Sequence, residues 1–71
     1  MTKKELATLI VSGLTQSQKF VCTPMPSHAP GWWSRWDNAT SEEQDSMLAA
    51  YMASKHTLAE LESWAEDLTA P

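Results

Sequence analysis

From Thr40 to Leu68 the chain runs without a glycine or a proline, in a composition dominated by Leu, Met, Ala and Glu. Nothing in this stretch breaks a helix, and its start carries explicit signals. Thr40 with Glu43, or Ser41 with Gln44, forms a capping box, and Glu42, Glu43 and Asp45 place negative charge at the positive end of the helix dipole. Met47, Leu48, Tyr51 and Met52 make a first apolar stripe, and Leu58, Leu61, Ala65 and Leu68 a second. Between the stripes, Thr57 and Glu60 spell a further capping box, which implies a break near residues 54–57. Read without a break, Gln44, Met47, Tyr51, Ser54, Leu58, Leu61, Ala65 and Leu68 alternate spacings of three and four, a heptad seam able to pair two chains. Charge favours the continuous or merely kinked form. An antiparallel hairpin would lay Glu66 and Asp67 beside Lys3 and Lys4, relieving acids that the dipole disfavours at a helix C-terminus.

A first helix starts at Thr2, whose capping box with Glu5 precedes the apolar positions Leu6, Leu9, Ile10 and Leu14. Gly13 interrupts that stripe and leaves room for another helix. The polar run 15–19 weakens the amphipathic pattern, so the helix is expected to end between Ser17 and Val21. Pro24, Pro26 and Pro30 then argue against helix from Cys22 to Gly31, because each removes an amide donor and restricts its predecessor. The spacing therefore predicts one domain over residues 1–71: a helix over about 3–19, a connector over about 20–40, and helical structure over about 41–68.

Three of the four tryptophans fall within Trp32-Trp33-Ser34-Arg35-Trp36. Each ring can bury ~200 Å2, so the cluster either pins the connector to the helices or forms an anchor of the Trp and Arg type found at interface hot spots. Stacking on nucleic-acid bases is a third use. Adjacent Trp32 and Trp33 point in different directions, which puts at least one of them at a surface.

The net charge of −4 conceals an asymmetry: residues 1–36 carry four cations and one acid, and residues 37–71 one cation and eight acids. The two halves are suited to face each other, or the acidic half to face a basic partner. Cys22 is the only cysteine, so no disulfide forms within the chain, and a reducing, cytoplasmic compartment is the simpler expectation. Cys22, His28 and His56 lack the paired spacing of a zinc site. No apolar run approaches the ~20 residues of a membrane span, and Glu5 spoils the charge pattern of a signal peptide. Asn38-Ala39-Thr40 matches a glycosylation sequon that has no use without secretion. With only Gly13 and Gly31, the chain has no glycine-rich phosphate loop. Cys22 with a histidine supplies residue types for catalysis without a rigid arrangement. The segment Ser54 to Leu61 has the flavour of a recognition-helix entrance, but residues 58–68 offer four acids and no base, so direct nucleic-acid binding is not expected.

These features predict an all-α helical hairpin with a Pro/Trp-rich connector, completed as a homodimer through Met47, Tyr51, Leu58, Leu61 and Leu68. No catalytic residue, cofactor or metal is expected. The function expected is that of a small, non-enzymatic accessory protein. It would bind a larger protein target through Trp32, Trp33, Arg35 and Trp36 and modulate or inhibit it, as phage- or plasmid-encoded inhibitors do. The rival readings are a nucleic-acid-associated regulator and a purely structural oligomerisation module.

Overall fold

A threonine followed three residues later by Glu or Gln occurs four times in this chain, and a helix begins at each. The computed structural model describes residues 1–69. In α1 (Lys3–Gly13) the Thr2 hydroxyl accepts the Glu5 amide at 3.1 Å while Glu5 Oε1 accepts the Thr2 amide at 2.9 Å. Thr15 and Gln18 repeat the exchange for α2 (Gln16–Val21). The exception is α3 (Pro30–Asp37), which has Pro30 in its first turn, where a missing N–H is no loss. Thr40 and Glu43 start α4 (Ser41–Lys55), and Thr57 and Glu60 start α5 (Leu58–Thr69). The described chain is all-α, with five helices where two were expected, or three with a break near 54–57.

Each difference has a local cause. The first helix stops at Gly13 instead of running to residue 19, because Leu14 turns extended and Thr15 opens a new capping box. The expected connector over 20–40 holds the end of α2 and the whole of α3, and only 22–29 and 38–40 are irregular. Pro30 begins a helix through Gly31 because proline disrupts a helix only beyond its first turn. The stretch over 41–68 is divided where His56 adopts extended backbone, with φ −107° and ψ 152°.

That division decides the topology. Lys4 Nζ, near the start of α1, donates to the Ser46 carbonyl at 3.1 Å, and Val11 and Ser12 share a hollow with Glu42 and Asp45, so α4 runs antiparallel to α1. The chain then reverses, and Leu68 near the end of α5 lies 3.7 Å from the Cβ that an alanine at Gly13 would carry. Glu66 and Asp67 therefore sit at the Gly13 end of α1, and not beside Lys3 and Lys4 as a continuous helix would require. The cation that pairs across helices is Lys19, whose Nζ is 3.0 Å from Asp45 Oδ1.

The core lies among α1, α4 and α5. Leu6, Ala7, Ile10 and Val11 of α1 meet Leu48, Ala49 and Met52 of α4 and Leu61 and Ala65 of α5, all buried. A helix covered from two sides needs a face wider than a single stripe, which is why Ala7 and Val11 are inside and Leu9 is not. No residue of α2 or α3 is buried.

Two outcomes follow for stability. Glu5 and Glu60 are held below the ordinary carboxylate range, each first by the backbone amide of its capping threonine. A folded pKa below the unfolded one means that the unfolded chain binds more protons, so this stabilisation is complete above the ordinary range and is lost as pH falls through it. Glutamine can serve the same box, as Gln18 does. In thermal melts from about pH 7 to about pH 3, the melting temperature of Glu60→Gln is expected to fall less steeply than that of the wild type. Gly13 has no positive φ, and the nearest atom to an added Cβ stands at ordinary contact distance. Gly13→Ala should therefore stabilise the fold by roughly 0.5 kcal/mol in urea unfolding.

Candidate protein-binding surface

Aromatic rings gather on the outer side of α4, where α3 lies across it. Residues 32, 33 and 36 stand at i, i+1 and i+4, so Trp32 and Trp36 share a helix face and Trp33 meets both at its flank. Trp32 and Trp36 stack with centroids 5.0 Å apart and planes at 22°, and Trp32 and Trp33 meet edge to face at 5.2 Å and 81°. The separate directions expected for Trp32 and Trp33 are spanned by the size of the rings, and all three tryptophans are half-buried. Phe20 of α2 joins through Trp33 at 6.2 Å, and Tyr51 of α4 through Trp32 at 6.1 Å. Trp36 also packs against the core.

Three polar contacts fix this layer. Trp33 Nε1 donates to the carbonyl of buried Pro24 at 2.9 Å, anchoring the irregular segment beneath the rings. Gln44 Nε2 donates to the Trp36 carbonyl at 3.0 Å, tying α3 to α4. The Lys19–Asp45 pair ties α2 to α4.

What remains open is apolar on one side and cationic on the other. Phe20, Val21 and Met25 are 68, 81 and 62% exposed. Arg35 is exposed and lines a hollow of about 270 Å3 with Trp32, Met47, Tyr51 and Ser54. It also borders a polar cleft with Asn38 and Glu43, but Glu43 is held in its capping box, and Arg35 makes no ion pair among the described residues. The Lys55 ammonium stands 5.5 Å over the Tyr51 ring.

The four expected anchors, Trp32, Trp33, Arg35 and Trp36, thus lie on one short helix, with Met47 and Tyr51 of the expected dimer seam beside them. The rest of that seam is elsewhere. Leu61 is fully buried in the protein's own core, and Leu58 and Leu68 are exposed on α5. The break at His56 turns α5 away from the line that Met47 and Tyr51 begin, so no continuous stripe of these five residues exists. Phe20, Val21 and Met25 were missed as part of the surface. Their signal was the Thr15–Gln18 capping box, which starts a helix where hydrophobic periodicity fades.

Among the described residues, no group of three His, Cys, Asp or Glu is placed to hold a metal ion, and no helix is long and apolar enough to cross a membrane. Burial raises the Cys22 thiol above its ordinary range, with Lys55 opposing. A thiol shifted that way is a poorer nucleophile at neutral pH. Comparison of the chain with known protein families, with curated proteins and with solved structures finds no match.

Trp33→Phe keeps an aromatic ring in place and removes the donor to the buried Pro24 carbonyl. It should lower stability by about 1 kcal/mol in urea unfolding, with accelerated amide exchange concentrated in residues 23–33.

Proposed function

We propose that this chain is a small, non-enzymatic accessory protein that docks on a larger protein and modulates or inhibits it, using Trp32, Trp33, Arg35 and Trp36 together with Phe20 and Met25. One observation carries the reading: five aromatic residues gather outside the buried core of α1, α4 and α5, with Trp36 packed against it, and beside them lie exposed Phe20 and an arginine that has no ion pair among the described residues. A rigid aromatic group next to Arg supplies large contact area at low entropic cost, together with a fork for a carboxylate on the partner. Lone apolar residues at a surface need no explanation, but exposed Phe20 is in ring contact with Trp33 and so extends the tryptophan cluster to an open apolar edge of the kind that marks interaction sites.

The nucleic-acid reading is less well supported, since Lys4 and Lys19 of the basic half are engaged with α4. A reducing, cytoplasmic setting belongs to the proposal, as does an origin among inhibitors of phage or plasmid type. Self-association, where it occurs, runs through the exposed Phe20 and Met25 flank and competes with the partner, because Leu61 is unavailable to a heptad seam.

The test is affinity capture from lysate of the source cell or its host. Wild type is compared with a Phe20→Ser, Arg35→Ala double variant that circular dichroism shows to be folded, and with Glu62→Lys as a remote control. Wild type and control should retain the same protein, and the double variant should lose it. Equal retention by all three would sink the assignment of this surface.

A further inference from the structure

A second surface lies on the other flank of α2, where Val21 borders a mainly apolar groove of about 440 Å3 between α2 and α5, lined by Leu14, Val21, Cys22, Trp64 and Leu68 together with Ser17 and Gln18. Trp64 forms its wall, and on the far side of that wall is a hollow of about 520 Å3 bordered by Glu60, Ser63, Asp67 and His56. An apolar trough and an acidic hollow are thus separated by one half-buried tryptophan. Glu60 is bound through Oε1 to the Thr57 amide, while its Oε2 is 3.9 Å from His56 Nδ1; Asp67 has no ion pair among the described residues.

From this juxtaposition we infer that the groove between α2 and α5 docks a cationic amphipathic helix of a protein partner. Its apolar residues would seat against Leu14, Val21, Trp64 and Leu68, and its Lys or Arg side chains would reach past the Trp64 ring to Asp67 and Glu60. Charge selects this occupant. A second copy paired two-fold through this groove would bring its own Glu60 and Asp67 to the same rim, and nucleic acid or an anionic membrane would meet like charge. Backbone shape selects a helix, because both walls are helices whose amides and carbonyls are internally bonded and offer no edge for strand addition. On the side of the acidic hollow His56 already packs perpendicular to the Trp64 ring at 5.8 Å, so the partner's cations are placed at the rim beside Asp67 and not on that ring face. The groove shares Val21 with the exposed flank beside the aromatic surface, but it contains none of Trp32, Trp33, Arg35, Trp36, Phe20 or Met25, so variants at Phe20 and Arg35 distinguish the two surfaces.

The test uses the full chain, labelled with 15N, and three synthetic peptides: an amphipathic helix of leucine and lysine, its leucine and glutamate counterpart, and a scrambled leucine and lysine sequence. The first peptide should bind and shift the amide signals of Leu14, Val21, Cys22, Trp64 and Leu68, while the other two should not. Asp67→Lys should weaken binding about tenfold, and Leu68→Ser should weaken it too, whereas Phe20→Ser with Arg35→Ala should leave it unchanged. Three results would overturn the inference: no binding of the first peptide, equal binding of the scrambled one, or shifts spread over Glu42 to Asp45 instead of the groove. Shifts at the groove that grow with protein concentration in the absence of peptide would also overturn it, by identifying the occupant as a second copy.

Discussion

The exchange of hydrogen bonds between Thr57 and Glu60 is the interaction on which the rest of the structure depends. An unbroken helix over 41–68 would be ~42 Å long beside an α1 of ~16 Å, and much of its apolar stripe would have nothing to cover it. The longest dimension of the protein is 36 Å, less than that helix alone. By making residues 57–60 a better helix start than a helix middle, the box lets His56 turn extended and sends α5 back along α1. Leu61 and Ala65 then meet Ile10 and Val11 from the side opposite Leu48 and Met52. A small chain without disulfides thereby closes a core around its first helix, which is the one way a stripe of Leu6, Ala7, Ile10 and Val11 becomes fully buried.

Once that core is closed, α2 and α3 are left over. They bury no residue completely and are held by a few contacts at their edges, namely the Lys19–Asp45 pair, the Gln44 donor to Trp36, and the Trp33 donor to Pro24. Such a layer lies at the low end of the local stability range. The proposed partner surface lies in this layer. The tryptophans stack chiefly on one another, and Trp36 also joins the layer to the core.

Much of the fold was legible in particular residues. Thr2 with Glu5 and Thr40 with Glu43 located two helix starts, and Thr57 with Glu60 named the break. The preference for a continuous helix came from charge, from the expected meeting of Glu66 and Asp67 with Lys3 and Lys4. Exposed ion pairs contribute about 0–1 kcal/mol, while burying Leu61 alone is worth more than that, so the packing decided. The Thr15–Gln18 box lies in the polar run 15–19, where no apolar stripe marks a helix, and α2 buries no residue. Capping chemistry reports where helices begin whether or not they enter a core; periodicity reports only those that do. On the candidate surface, the Trp and Arg hexapeptide was visible as a sequence cluster. Its neighbours Phe20, Met25 and Tyr51 were not, because only the fold brings them to it.

The charge asymmetry of the chain resolves along the same lines. Lys4 and Lys19 from the basic half turn inward onto α4, one to the Ser46 carbonyl and one to Asp45, and Glu43 is occupied in its own cap. Two of the four cations of the basic half, Lys4 and Lys19, are thus engaged in holding the fold together, while α5 carries four acids and no cation of its own. On the two proposed surfaces, Arg35 beside the tryptophans would meet an acidic group, and Asp67 beside Trp64 a basic one. At physiological salt, fields decay over ~8 Å, so these charges do little to draw partners from a distance. They act at contact, where a mismatched charge must be desolvated without compensation, and in that role a single open Arg or Asp beside a tryptophan discriminates more sharply than a diffuse charge on the whole molecule.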